Sequence, residues 1–215
     1  MNNRGYQREL DAIVAGIPSE GEAPSLLLHA CCAPCASYVL EYLSQYFRIT
    51  LYYYNPNISS PEEYAKRVGE VNRLVTLLPA ARPVKLIEGE YDPERFLSLA
   101  KGLEGEREGG ARCARCYELR LQSTAQLARE QGFDYFTTTL SISPYKNADK
   151  LNEIGERLAQ QYGVKHLPCD FKKRGGFKRS VELSAQYGLY RQDYCGCVFS
   201  MESGGIARGD KIQKA

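Results

Sequence analysis

Seven cysteines fall into three tight groups along the 215-residue chain: "CCAPC" at Cys31, Cys32 and Cys35, "CARC" at Cys113 and Cys116, and "CGC" at Cys195 and Cys197. Short spacing between donors lowers the entropy of closing a chelate ring, so such groups point to metal binding. Adjacent and near-adjacent cysteines cannot all face one apolar core, which argues against burial of all seven as small hydrophobes. One structural zinc or one 4Fe-4S cluster takes about four thiolates, so seven are too many for a single centre of either kind. The remaining three match a metal that keeps one position open for water or substrate. The sulfur count thus predicts a saturated centre beside an open mononuclear ion, with a pair of zinc knuckles as the plainer alternative. Cys169, in "HLPCD", stands alone and reads as a packed thiol.

Thiols of this kind need a reducing setting, and the composition is compatible with one. Charged residues make up 25% of the chain and apolar residues 43%, near globular averages. No apolar run approaches the roughly 18 residues of a membrane span. The start, "MNNRGYQREL", lacks the basic, apolar and small-residue regions of a secretory signal. A soluble, cytoplasmic protein with no membrane partner is expected, its cysteines reduced rather than paired. Net charge is +2 with a pI near 8.0, so any polyanionic partner must be held by local patches.

Apolar runs bounded by turns alternate with stretches of helical period, the pattern of a doubly wound parallel α/β sheet flanked by helices. Strands are predicted at "SLLLHA", "RITLYYYN", "VKLIEGE", "DYFTTTL" and "GVKHLPCD". Helices are predicted at "CASYVLEYLSQYF", "SPEEYAKRVGEVNRLVTLL", "DPERFLSLAKGL", "CYELRLQSTAQLAREQG", "NADKLNEIGERLAQQYG" and "FKRSVELSAQYG", with a possible inserted helical segment around 92–131. Ser60 ahead of Pro61, Glu62 and Glu63 forms a start signal, while Gly132 and Gly163 suit left-handed stops. The whole chain, 1–215, is expected to form a single domain, with 1–22 as an N-terminal extension and 203–215 as a flexible tail.

This arrangement places "HACCAPC" at the carboxyl end of the first strand, where ligands of open α/β sheets bind. "CARC" opens a helix, whose N-terminus favours thiolate. "CGC" follows the last predicted helix and can fold back over the same edge. "GLEGEREGGAR" reads as a hinge or as an exposed linker. Ser141, Ser143, Tyr145, Lys146 and Asn147 gather where a strand gives way to a helix, which suits phosphate or ribose; ordinary capping by Asn147 is the alternative. Lys172, Lys173, Arg174, Lys178 and Arg179, with Phe171 and Phe177, form either a solvated face or a surface for phosphates and unpaired bases. His29 is expected to bond backbone behind the cysteines rather than to ligate metal.

Together, "LLHACCAPC", "YYNPNI", "RCARCYELRL", "TTTLSISPYKN", "DFKKRGG" and "GLYRQDYCGCVFS" resemble, in order from about residue 25 to 200, the QueH type of epoxyqueuosine reductase. The resemblance implies a reductase that removes the epoxide oxygen of epoxyqueuosine in the anticodon loop of tRNA, the last step of queuosine biosynthesis, with an external electron donor. It implies a Rossmann-like fold of the HUP or nucleotide alpha-hydrolase kind, and a 4Fe-4S cluster beside a separate ion, iron or else zinc. By position, Cys31, Cys32, Cys113, Cys116, Cys195 and Cys197 match the family's metal-binding cysteines, whereas at Cys35 some relatives carry aspartate. The division expected on this basis puts Cys31, Cys113, Cys116 and Cys197 on the cluster and Cys32, Cys35 and Cys195 on the open ion. Ser143, Tyr145, Lys146, Asn147, Lys172, Lys173, Arg174 and Arg191 become candidates for contact with tRNA. Asp193 and Tyr194 become candidate proton donors to the departing oxygen.

Three other classes compete. An ATP-dependent tRNA-modifying enzyme on the same broad fold would carry a glycine- and serine-rich phosphate loop where "HACCAPC" stands. A zinc-stapled RNA-binding module would be colourless and free of iron. A thiol-disulfide oxidoreductase leaves five clustered cysteines without a role.

Overall fold

Leu26, Leu27 and Leu28 are fully buried in β1 (Ser25–His29), and their side chains alternate between the two faces of a sheet. Leu26 and Leu28 enter one core and Leu27 enters another, so a strand with no polar face must be covered by helices on both sides. Burial of each such leucine contributes roughly 1.5–3 kcal/mol. In the computed structural model, which describes residues 4–18 and 20–202, β1 pairs in parallel with β2 (Arg48–Tyr53) and with β4 (Tyr135–Thr138). β3 (Lys85–Glu88) and β5 (Lys165–His166) complete a parallel sheet of order β3-β2-β1-β4-β5. This is an α/β Rossmann-like arrangement, with the order of strand addition reversing between β1 and β4.

Helices α1 (Tyr6–Ala15), α2 (Ala33–Leu43), α3 (Pro61–Leu77) and α7 (Gly176–Gln186) supply side chains to the first core or pack beside it. α4 (Pro93–Ala100), α5 (Ala111–Glu130) and α6 (Ala148–Tyr162) fill the second. The helix signals act as the sequence predicts: Ser60 Oγ accepts from Glu63 N with Pro61 in the first turn of α3, and Gly163 closes α6 in the left-handed conformation.

Several elements differ from the sequence-based reading. α1 lies within the expected N-terminal extension, and a five-residue helix α8 (Val198–Glu202) follows "CGC". α5 starts five residues before the predicted helix, so both cysteines of "CARC" lie inside it. β4 ends early because Thr138 Oγ1 accepts from Leu140 N and winds Thr139–Ile142 into a 3-10 turn. Only Lys165 and His166 of "GVKHLPCD" pair as a strand, since the backbone N–H of Cys169 turns instead to Asn152 Oδ1. The expected tail at 203–215 lies outside the described residues.

Candidate metal centre

Each sulfur group sits at a helix start. Cys32 is the N-cap of α2 and Cys35 lies in its first turn, directly beyond β1. Cys113 and Cys116 occupy the first two turns of α5, and Cys197 immediately precedes α8. Three helix N-terminal ends thus carry the sulfur groups.

The first group converges by itself. The sulfurs of Cys31, Cys32 and Cys35 all lie within 4.8 Å of one another, and Cys31 Sγ to Cys32 Sγ is 3.8 Å. Two thiolates on one tetrahedral ion with metal–sulfur bonds near 2.3 Å stand roughly 3.8 Å apart, so this trio fits a single metal. Thr139 Oγ1 accepts from Cys31 N at 3.2 Å and donates to Cys31 Sγ at 3.4 Å. Cys31 is held well below the ordinary thiol range because Cys32 and then Cys35 donate to it, with Arg120 and Thr139 adding to the effect. Cys32 and Cys35 are pushed up, chiefly by the same contact with Cys31.

The third group is fastened from outside. Asn57 Nδ2 donates to Cys195 O at 3.1 Å, Ser59 N to Gly196 O at 3.0 Å, and Arg67 Nη1 to Cys195 O at 3.3 Å. Arg67 is 2% exposed and paired with Glu63 at 2.6 Å. Cys195 Sγ and Cys197 Sγ stand 3.4 Å apart, with Cys195 lowered by the donor Cys197 and by Lys146, and Cys197 raised in turn. In the second group, Gly109 N donates to Cys113 Sγ at 3.3 Å, while burial pushes the Cys116 thiol up.

Two adjoining cavities collect these sulfurs. One, of about 100 Å³, is lined by Cys31, Cys32, Cys35 and Cys195. A smaller one, of about 20 Å³, is lined by Cys113, Cys116, Cys195 and Cys197. All seven clustered cysteines thus meet at one sheet edge, with Cys195 on the wall of both cavities. A profile of the family described as Epoxyqueuosine reductase QueH matches residues 26–203, which contain every one of them. The chain belongs to the QueH family. It is 44% identical over 205 residues to an epoxyqueuosine reductase QueH of Staphylococcus epidermidis, covering 94% of this chain and 86% of that protein. Relatives with the same description occur in Streptococcus pyogenes serotype M1, at 43% identity over 94% of this chain and 80% of that protein, and in Staphylococcus aureus, at 41% over 94% and 85%.

Not every residue singled out in the sequence reaches this QueH site. Ser143, Tyr145, Lys146, Arg191, Asp193 and Tyr194 line the larger cavity. Asn147 instead caps α6, its Oδ1 accepting from Lys150 N at 3.0 Å. Among the basic run, Lys172 pairs with Asp170 at 2.6 Å, Arg174 with Asp11, and Arg179 with Glu41 at 2.6 Å. Lys173 and Lys178 are exposed. Arg191 donates to Ser184 Oγ at 2.9 Å, which ties the cavity wall to α7. Cys169 is packed, its sulfur 3.1 Å from Ser141 Oγ and 3.3 Å from Thr137 Oγ1. His29 is fully buried against Thr138 and the Tyr54 carbonyl, behind the cysteines as expected. Sequence reasoning missed Arg67 and Arg120. Each stands one helical turn after a residue it contacts, Arg67 after Glu63 and Arg120 after Cys116, and that i,i+4 spacing was the available signal.

Among the described residues, no helix is long and apolar enough to cross a membrane.

Proposed function

We propose that this chain is an oxidoreductase that converts epoxyqueuosine to queuosine in tRNA, using two sulfur-held metal sites at the β1/β4 edge of one α/β domain. The carrying observation is the convergence of three cysteine groups on two cavities that share a wall, within a stretch matched throughout by the QueH family. Two cores on opposite faces of one sheet support the single-domain reading. Reduced thiols and a tRNA substrate support a cytoplasmic setting.

Atom balance sets the demands on the site. An epoxide, two electrons and two protons give an alkene and water: both C–O bonds break and a C=C bond forms. When bound, a 4Fe-4S cluster supplies electrons one at a time and an open iron supplies Lewis acidity toward oxygen. The donor set fits both, since four thiols face the smaller cavity and three share one position in the larger. We assign Cys113, Cys116, Cys195 and Cys197 to the cluster and Cys31, Cys32 and Cys35 to the ion. This exchanges Cys31 and Cys195 relative to the sequence-based division, on the strength of the sulfur distances within the first group.

The protein residues around the larger cavity bind, orient and protonate. Tyr194 lines it, and burial raises its phenol above the ordinary value, so the proton is in place at neutral pH. We assign it the proton for the departing oxygen, ahead of the more exposed Asp193. Tyr145 and Phe177 offer faces to an unstacked base, and Lys146 and Arg191 offer donors to its sugar and phosphates. Electrons come from an external donor.

The test is anaerobic purification, a visible spectrum, quantitation of iron, sulfide and zinc, and turnover of tRNA carrying epoxyqueuosine. Iron with acid-labile sulfide and full conversion is expected. Full activity from protein free of both would end this reading, and zinc alone without turnover would favour the RNA-binding module.

A further inference from the structure

Arg120 is a buried cation without a carboxylate. It is 4% exposed, on α5 one turn beyond Cys116. Its Nε donates to His29 Nε2 at 3.2 Å, its Nη2 to Asn55 Oδ1, and its Nη1 points to Cys116 Sγ at 4.0 Å. His29 Nδ1 lies 2.8 Å from Thr138 Oγ1, and its Nε2, besides facing the guanidinium, lies 3.1 Å from the Tyr54 carbonyl oxygen. An imidazole supplies no negative charge to a guanidinium. Nor does the Asn55 amide, which is oriented by donation from Nδ2 to Ala30 O at 2.9 Å.

The other cations lining the two cavities are partnered differently. Arg67 has Glu63 at 2.6 Å and Lys146 has Glu108 at 3.1 Å, while Arg112, in the smaller cavity, donates to the carbonyls of Leu103 and Glu104 and lies over the Phe199 ring. Among the described residues, none supplies a carboxylate to Arg120. A buried charge without an opposite charge is strongly unfavourable, and the groups in reach that can carry one are sulfurs: Cys116 Sγ, 4.0 Å from Nη1, and Cys31, which shares the wall of the larger cavity with Arg120. Arg120 also lines both sulfur cavities, a position it shares only with Lys146 and Cys195 among the described residues.

We propose that Arg120 is a positioning residue that acts as the built-in counter-cation of the sulfur centre around Cys116, holding that centre at a less negative total charge so that it accepts an electron at a higher potential. The inference rests on the proposed function in one respect: the centre is taken to be an iron-sulfur cluster, whose potential follows its net charge and hydrogen bonds. His29 and Asn55 serve the same end by orienting the guanidinium without cancelling its charge.

The experiment uses anaerobically prepared full-length protein, wild type and the variants Arg120→Gln, Arg120→Lys and Asn55→Asp, assayed for iron and sulfide and then titrated for reduction midpoint by visible and EPR spectra. Arg120→Gln removes the charge. Asn55→Asp keeps the shape and gives Arg120 the carboxylate it lacks. Both are expected to shift the midpoint to more negative potential, with Arg120→Lys close to wild type. If Arg120→Gln does not fold, Asn55→Asp carries the test. Loss of iron from both, with retention in Arg120→Lys, also supports a counter-cation for thiolates. Loaded variants at the wild-type midpoint, or loss of iron in Arg120→Lys as well, overturn the role. Wild-type protein without iron or sulfide fails earlier, at the proposed function, and takes this inference with it.

Discussion

Gly196 separates Cys195 from Cys197 at φ +105°, and a methyl group there would stand 2.8 Å from Ile58 Cγ1 and 3.2 Å from an Arg67 nitrogen. An L-residue is strained in that conformation whatever the space, so Gly196→Ala displaces the two sulfurs it joins. The expected outcome is loss of most bound iron and of turnover, with a stability cost of only about 1–3 kcal/mol by thermal unfolding. Retention of full metal content would show that the glycine is dispensable. The ligand division is also decided residue by residue. Cys31→Ala should remove the mononuclear ion and leave iron and sulfide in cluster proportion, whereas Cys195→Ala should lower both together. The opposite pattern would restore the division expected from sequence. The types and grouping of the cysteines were legible because chelation demands short spacing, but nothing in the spacing says which sulfur turns toward which cavity. That depends on Thr139 beside Cys31, and on Asn57 and Arg67 holding the Cys195 carbonyl, interactions between segments distant in the chain.

At the scale of elements, β5 and α6 meet through His166 and Gly155, where a methyl on the glycine would collide with the imidazole. The His166 ring lies 5.3 Å from that of Phe136, and burial lowers its pKa from 6.5 to about 3. Between those two values only the unfolded chain takes up the proton, so stability falls as pH drops below about 6.5, by at most about 1.4 kcal/mol per unit. Above that range His166 contributes no pH dependence. Urea midpoints measured from pH 7 to pH 5 should fall more steeply for wild type than for His166→Gln, and parallel slopes would refute the assignment. All five strands and six of the helices were legible, since apolar runs and helical periods report the faces that burial requires. The length of β5 was not, because Asn152 diverts the Cys169 backbone through a side chain on another helix. Neither was α1, whose buried Tyr6, Leu10 and Val14 show the helical period within a stretch read as an extension.

For the molecule as a whole, a net charge of +2 leaves tRNA attraction to particular side chains. Arg174 and Arg179 are committed to Asp11 and Glu41, whereas Lys173 and Lys178 are exposed beside them. In a salt series of tRNA binding, the double variant Lys173→Ala/Lys178→Ala should flatten the slope of log affinity against log salt by up to about 2, roughly 1 for each phosphate that a lysine had neutralised. Arg174→Ala/Arg179→Ala should change it less. The reverse ranking would mean that RNA displaces the carboxylates. The basic run was visible as a motif, but its ion pairs join residues 11 and 41 to 174 and 179, separations that no local pattern encodes.

The three sulfur groups also arrive at very different moments of synthesis. A growing chain presents Cys31, Cys32 and Cys35 early, long before Cys195 and Cys197 leave the ribosome, and strand β4, which borders β1, comes between. A nascent polypeptide can therefore trap an ion in the first trio, while the shared wall at Cys195 is still missing. Assembly of the proposed cluster would thereby wait until the third group has emerged, and a ribosome stalled shortly before that point would carry a chain that has its first sulfur trio yet lacks the second site.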